Sequence, residues 1–316
     1  MIALGCDMSG VSFIVTIFNK RLYLPAVLAG LAEQDGLAEA EFLFIDDGST
    51  DGSLAYLESA LAEPALAEIA GRARILTQPN RGPAHATNRG IALAAKRWTK
   101  LVDGDDRLLG GATASLVAAA EAAGAGVALG ELIPYELDGP PPPRPVASGA
   151  PLRIADPLMT LARRMTFNPS AVLIETELAR RVGGCDERVF VQDYSLMLRA
   201  AARADFIQVP WPVAALPSGT ESRISADSAQ ILHDLNAANF WYLADHPETG
   251  RAVQRLMARR AAGRAWHWVR RHHGGGFASR EFGRFLASYG PILDPRARIA
   301  QSCTSFRARA AIRIPA

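Results

Sequence analysis

Three carboxylates within four residues, Asp103, Asp105 and Asp106, follow directly on the apolar run Trp98 to Val102, with Gly104 among them. Like charges so close repel, and each raises its neighbours' tendency to hold a proton. A hard divalent cation such as Mg²⁺ or Mn²⁺ removes that repulsion, takes oxygen ligands, and keeps positions open for substrate phosphates. An acidic solvated turn or a helix cap uses the same residue type. The stretch alone leaves both readings open.

The elements that must position these acids can be read from the hydrophobic pattern. Val11 to Phe18, Glu41 to Ile45, Arg74 to Thr77 and Trp98 to Val102 are short β-rich runs. Between them, Leu22 to Leu31, Ser53 to Leu61 and Ala84 to Ala95 have helical spacing, and a helix over Ala112 to Ala123 and a strand over Gly126 to Leu129 follow. Alternation of this kind predicts a mostly parallel sheet flanked by helices. Ligands bind beyond the carboxyl ends of such strands. Three strands end there in polar clusters: Asn19, the pair Asp46 and Asp47, and the Asp103 to Asp106 group. Three strand ends with ligand-like chemistry weigh more than one.

Gly139 to Pro145 holds five prolines and reads as a stiff surface connection near a sub-domain boundary. Beyond it, Ala171 to Ile174 and Phe206 to Val209 are strand-like, and Glu177 to Val182, Asp193 to Ala202 and Ile231 to Ala244 are helical. From Arg251 to Arg271 apolar residues recur at helical spacing among seven arginines and no acid. That helix either lies on an anionic membrane surface, with Trp266 and Trp268 at the headgroup level, or packs on the acidic body. No recognition motif for nucleic acid accompanies the charge.

Composition agrees with a globular chain: 316 residues, 49% hydrophobic, 21% charged, net +2. The total hides a split. From Arg251 onward there are 14 arginines, no lysine, and only Glu281 and Asp294, a balance of +12 against −10 for the first 250 residues. Cys6, Cys185 and Cys303 lack metal-ligand spacing and fit a reducing compartment. Met1 to Gly10 includes Asp7 and offers no signal-peptide core, and no run reaches the roughly 18 to 20 apolar residues of a spanning helix. The expected location is cytoplasmic, with peripheral attachment to the inner face of the membrane as the basic tail's contribution.

Four local patterns occur in order: Asp46-Asp47-Gly48-Ser49-Thr50-Asp51; Asn80-x-Gly82 with Asn88-x-Gly90; Asp103-x-Asp105-Asp106; and Gln192-Asp193-Tyr194 ahead of Leu198-Arg199. With Gly183-Gly184-Cys185-Asp186-Glu187, they make the chain from Val11 to Ser225 resemble the inverting family 2 glycosyltransferases of GT-A fold. The resemblance implies an α/β, Rossmann-like GT-A domain over residues 1–225, with a nucleotide-binding half near 11–130 and an acceptor half near 150–225. A basic helical region over 226–316 completes the expected layout.

It also implies roles. Asp46 or Asp47 would accept hydrogen bonds from the nucleoside, with Asn19 and Asn88 bordering the same crevice, and Asp103 would sit near the ribose. Asp105 would reach a divalent Mn²⁺ or Mg²⁺ on the diphosphate, and Asp106 would share the metal or orient a ligand. Asp193 would be the general base that deprotonates an acceptor hydroxyl. Asp51 is better read as a helix cap, and Arg81 as solvated. The donor would be a nucleoside diphosphate sugar, with UDP favoured, and the acceptor a glycan or lipid-linked molecule; the sugar moved would be a hexose or N-acetylhexosamine.

The sequence departs from the family pattern at Gln192, where Glu is usual, and in Ser218 to Ser225, where a loop histidine is missing and Arg223 could replace an anion contact. Two rivals remain: a sugar nucleotidyltransferase, whose glycine-rich signature Asn19-Lys20-Arg21 lacks, and a non-catalytic glycan-binding or scaffolding relative.

Overall fold

A run of Val, Phe and Ile with no charge cannot face water, and in this protein it forms the centre of a sheet. The computed structural model describes residues 10–36, 40–163, 168–218, 228–274 and 276–306. β1 (Val11–Ile17) lies between β2 (Glu41–Asp46) and β4 (Trp98–Asp103), with β3 (Ala73–Thr77) outside β2, and all four are parallel. Strands covered on both faces read as near-continuous apolar runs; Phe13, Ile14, Val15, Phe42, Leu43 and Phe44 are all fully buried. Phe13 and Phe42 sit at paired positions and stack at 5.1 Å.

The register carries the acids to one level. Ile17 pairs with Asp46, Thr16 with Asp103, and Asp46 with Thr77. The connection leaving β1 goes to β2 on one side, and β4 joins on the other. This strand-order reversal opens a crevice at the carboxyl ends.

Beyond β4 the sheet becomes mixed, in the order β3-β2-β1-β4-β8-β6-β9-β5. β8 (Val172–Glu175) is antiparallel to β4 and to β6 (Val127–Tyr135); β6 is parallel to β9 (Phe206–Pro217). The short β5 (Arg107–Leu108) and β7 (Leu152–Ile154) both pair antiparallel with β9. An antiparallel neighbour needs no βαβ crossover, so the parallel expectation holds for β1 to β4 and for β6 with β9.

The flanking helices are α1 (Leu24–Ala32), α2 (Ser53–Leu61), α3 (Ala67–Ala70), α4 (Pro83–Leu93) and α5 (Ala112–Ala123). Pro83 opens α4, where a missing N–H costs nothing. Gly90 lets α4 settle on β1: a Cβ there would lie 2.3 Å from Ile14 Cγ2.

The chain divides into two compact units. The first comprises Met1–Ala155, Phe167–Cys185 and Ala200–Thr220 and contains the whole sheet. The second comprises Asp156–Thr166, Asp186–Arg199 and Glu221–Ala316. It is helical, built from α6 (Pro157–Arg163), most of α8 (Gln192–Ala201), α9 (Ser228–Asp245), α10 (Arg251–His273), α11 (Arg280–Ala287) and α12 (Pro295–Cys303). α7 (Thr176–Arg181) belongs to the first unit.

The arginine-rich helix is α10, and it packs against α6, α9, α11 and α12. Val253, Met257, Ala258, Ala261 and Trp266 are buried along that face. Trp266 is therefore not a headgroup-level residue: it stacks on Phe285 at 5.0 Å inside the unit, because an indole gains more from that aromatic neighbour than from water. Among the described residues no helix is long and apolar enough to cross a membrane.

Candidate active site

In the sheet-bearing unit, the acid motif after β4 forms a cluster. One carboxylate oxygen from each of Asp103, Asp105 and Asp106 lies within 4.8 Å of the others. Asp105 and Asp106 are buried and Asp103 is half-buried. Gly104 is required at this point, since a Cβ there would fall 2.6 Å from the Thr16 carbonyl oxygen at the end of β1.

Two lysines that the motif reading passed over balance the negative charge. Lys20, just after β1, donates from Nζ to Asp105 Oδ2 at 2.6 Å. Lys100 is wholly buried in β4, and its Nζ donates to the carbonyls of Leu101 (3.0 Å) and Ser170 (2.5 Å). Burial pushes the Lys100 ammonium down to about 7, opposed by the charges of Asp106 and Asp103. The antiparallel register of β4 with β8 pairs Lys100 with Leu173, which brings Ser170 level with Asp103. Ser170 Oγ accepts from the Asp103 N–H at 3.0 Å, and Asn168 holds Ser170 in turn. The only hint of this brace in the sequence is a lysine inside an apolar strand.

The β2 end differs between its two acids. Asp46 is buried; Oδ2 accepts from the Ser49 N–H, while Oδ1 has no hydrogen-bond partner in the structure. An unsatisfied buried acceptor is costly unless a ligand serves it. Asp47 has both oxygens occupied: Oδ1 accepts from Gln78 Nε2 and the Arg81 N–H, Oδ2 from the Gly82 N–H. Asp47 thus holds the loop into α4, where Gly82 takes φ +91°. Gly48, at φ +79°, sits against this loop, a Cβ there coming within 2.9 Å of Asn80 N.

Asn19 adopts φ +55°; its Oδ1 accepts from the Thr50 N–H and its own N–H donates to Ser49 Oγ, tying the two crevice loops together. Asp51 accepts from the N–H groups of Arg21 and Ser53 at the start of α2, but it precedes the cap position, which Gly52 takes. Asn88 joins α4 to the segment around Cys185. Its amide bonds both ways with the Cys185 backbone, and a Cβ on Gly184 would lie 2.3 Å from its Oδ1. The two motifs Asn88-x-Gly90 and Gly183-Gly184 therefore fit together as one packing device.

In the helical unit, Asp193 lies in the first turn of α8, where its Oδ1 accepts from the Tyr194 N–H at 2.8 Å. Burial raises its carboxyl to about 6, against the lowering effect of backbone hydrogen bonds. A carboxylate with that value is about nine-tenths ionised near pH 7 yet still basic enough to take a proton. Asp186 fixes the helix: it receives Arg188 through two nitrogens at 2.7–2.8 Å and Arg199 of α8 at 3.3 Å. The Tyr194 hydroxyl donates to Asn239 at 2.9 Å. Arg223 and the loop after Ser218 lie outside the described residues, as does Cys6.

The model of the family described as glycosyl transferase family 2 matches residues 12–203, which include Asp46, Asp47, the Asp103 to Asp106 cluster and Asp193. The chain belongs to glycosyl transferase family 2. Among its relatives, the succinoglycan biosynthesis protein ExoO of Rhizobium meliloti is 32% identical over 129 residues, 41% of this chain and 35% of that protein. Glycosyltransferase GlyG of Streptococcus pneumoniae is 32% identical over 97 residues, 30% of each chain. The chain thus matches only about a third of the length of these curated relatives.

Its fold is similar to that of the S. aureus TarS 1-349 crystal structure with UDP-GlcNAc, at TM-score 0.64 and 15% identity, over 94% of this chain and 89% of the other. The mannosyltransferase PcManGT of Pyrobaculum calidifontis, in complex with GDP-Man and Mn²⁺, gives TM-score 0.57 at 17% identity, over 95% and 86%. The family 2 chain is thereby shown to have the GT-A architecture.

Proposed function

We propose that this family 2 protein is an inverting glycosyltransferase of polysaccharide or cell-envelope biosynthesis. It moves a hexosyl or N-acetylhexosaminyl group from a nucleoside diphosphate sugar, a UDP-sugar by preference, to a glycan or lipid-linked acceptor. The acceptor is met at the cytoplasmic face of a membrane. The observation that carries the reading is the convergence of Asp46, with its unserved buried oxygen, and the Asp103 to Asp106 cluster at one strand-end crevice.

Asp46 accepts from the nucleoside, and Asp103, its backbone fixed by Ser170, reaches the ribose side. Asn19 sets the loop that closes the crevice. Two buried carboxylates and a third beside them form an all-oxygen donor set that fits a hard divalent ion, and Lys20 is the cation on Asp105 in this structure. Asp105 and Asp106 would hold Mn²⁺ or Mg²⁺. When bound, such an ion supplies Lewis-acid stabilisation of the departing diphosphate.

Asp193 removes the proton of the acceptor hydroxyl as its oxygen attacks the anomeric carbon opposite the diphosphate. The C–O bond to the diphosphate breaks as the new one forms, and the configuration inverts. Donor-bound relatives in the family's fold support the donor class, TarS with UDP-GlcNAc and PcManGT with GDP-Man and Mn²⁺.

A screen of UDP-, GDP- and dTDP-sugars with Mn²⁺, read as release of nucleoside diphosphate without acceptor, tests this proposal. One donor should be hydrolysed above background. If every donor stays intact with Mn²⁺ and, in a repeat of the screen, with Mg²⁺, the transferase reading fails.

A further inference from the structure

The helical unit leaves one stretch of apolar surface unfinished. Of the seven large hydrophobic side chains exposed among the described residues, four fall between positions 277 and 293: Phe277, Leu286, Tyr289 and Leu293, from 53% to 93% exposed. α11 lies in this stretch with the sequence Arg-Glu-Phe-Gly-Arg-Phe-Leu-Ala. Phe282, Phe285 and Leu286 recur at helical spacing and make it strongly amphipathic, yet none of its eight residues is buried. An amphipathic helix with no fully covered residue has its apolar face only half served by its own fold.

The partly covered side is aromatic and continuous. Trp266 of α10 lies 5.0 Å from both Phe282 and Phe285 and 5.8 Å from Phe277, and Phe285 meets Tyr289 at 5.3 Å. Arginines frame it. The Arg259 guanidinium sits 4.4 Å from the centre of the Tyr289 ring and that of Arg270 5.0 Å from Trp266, while Arg280 and Arg284 stand on α11 itself. From Arg251 to Phe306 there are eleven arginines, no lysine, and two acids.

Apolar tips rimmed by guanidinium groups match a surface that offers acyl chains beneath phosphates. Arginine serves phosphate through a planar set of donors, and rings of Tyr and Trp type settle at the headgroup level. A second copy of this chain would bring a like-charged surface to the same patch, which opposes pairing.

We propose that residues 276–293, with Arg259 and Arg270 of α10, form an interfacial docking surface for an anionic bilayer. Phe277, Leu286, Tyr289 and Leu293 enter the headgroup region, and the arginines engage lipid phosphates. The inference rests on the membrane-side location proposed above and gives it residues. It also moves the contact from the indoles of α10 to α11 and the turns beside it.

Co-sedimentation of the full chain with vesicles of phosphatidylcholine containing one-third phosphatidylglycerol, against pure phosphatidylcholine, tests it. Binding should require the anionic lipid and weaken with added salt. Leu286→Ser with Leu293→Ser changes only exposed side chains and should lower partitioning about tenfold. Arg270→Ala with Arg280→Ala, both exposed, should lower it about 25-fold, roughly fivefold for each charge. Donor hydrolysis by these variants in solution should match the unaltered protein, which separates docking from chemistry. Unchanged vesicle binding in both variants, or none by the parent, overturns the proposal. So does an analytical-ultracentrifugation shift from dimer to monomer in the variants without vesicle binding by the parent. If vesicles bind and no donor is hydrolysed, the transferase reading falls and the docking surface stands.

Discussion

Replacing Asp193 by Asn removes a carboxyl that the folded protein holds in an unfavourable place. Burial lifts that carboxyl from 3.8 to about 6, and at 1.36 kcal/mol per unit this favours the neutral acid by roughly 3 kcal/mol. The folded state therefore binds a proton that the unfolded chain has released between the two values. The contribution to stability is complete below the unfolded value of 3.8 and is lost as pH rises through about 6. Asparagine is neutral throughout.

Asp193→Asn should accordingly match the parent near pH 4 and exceed it by up to roughly 3 kcal/mol near pH 7.5 in urea unfolding. The same substitution should lower donor turnover roughly 10²- to 10⁴-fold while donor binding stays, the expected loss for a general base. The parent's kcat/KM should climb with pH through a limb near 6. A variant that is less stable near pH 7.5, or a parent profile that is flat from about pH 5 to 7, would refute the reasoning. More stability with less activity is the pattern of a residue kept for chemistry.

Gly104→Ala should cost about 1–3 kcal/mol and disrupt the acid cluster, because its Cβ meets the Thr16 carbonyl oxygen at 2.6 Å; unfolding together with Mn²⁺ binding by electron paramagnetic resonance would show both. Lys20→Met removes the ammonium from Asp105 and should tighten Mn²⁺ binding by about tenfold, read by the same resonance without any donor present. Weaker metal binding would instead make Lys20 part of the cluster's support.

How much of this was legible depends on distance along the chain. The strand runs Val11 to Ile17 and Glu41 to Asp46 declare themselves, because burial on both faces favours near-continuous apolar residues. The acids at their ends are legible for the same reason: a carboxylate is least costly to place where the strand leaves the core. Roles set by partners far away are not. Asp47 looks equivalent to Asp46 until Gln78, Arg81 and Gly82 are seen around it. Nothing near Asn88 in the sequence shows that its amide meets the backbone of Cys185, 97 positions on.

Lys100 interrupts an apolar pattern, and only the antiparallel pairing of β4 with β8 supplies the Ser170 carbonyl that makes it tolerable. Trp266 follows an amphipathic pattern that suits a membrane and a helix bundle equally. Its ring neighbours in α11, whose own pattern is too short to stand out, decide for the bundle.

The most direct test of the central claim is calorimetric titration of the protein with UDP-, GDP- and dTDP-sugars, with and without Mn²⁺, beside Asp105→Ala. The account predicts that one donor binds only when the metal is present and that Asp105→Ala abolishes this binding while the protein remains folded. Donor binding that ignores both the metal and the loss of Asp105 would contradict it, as would the absence of binding by every donor.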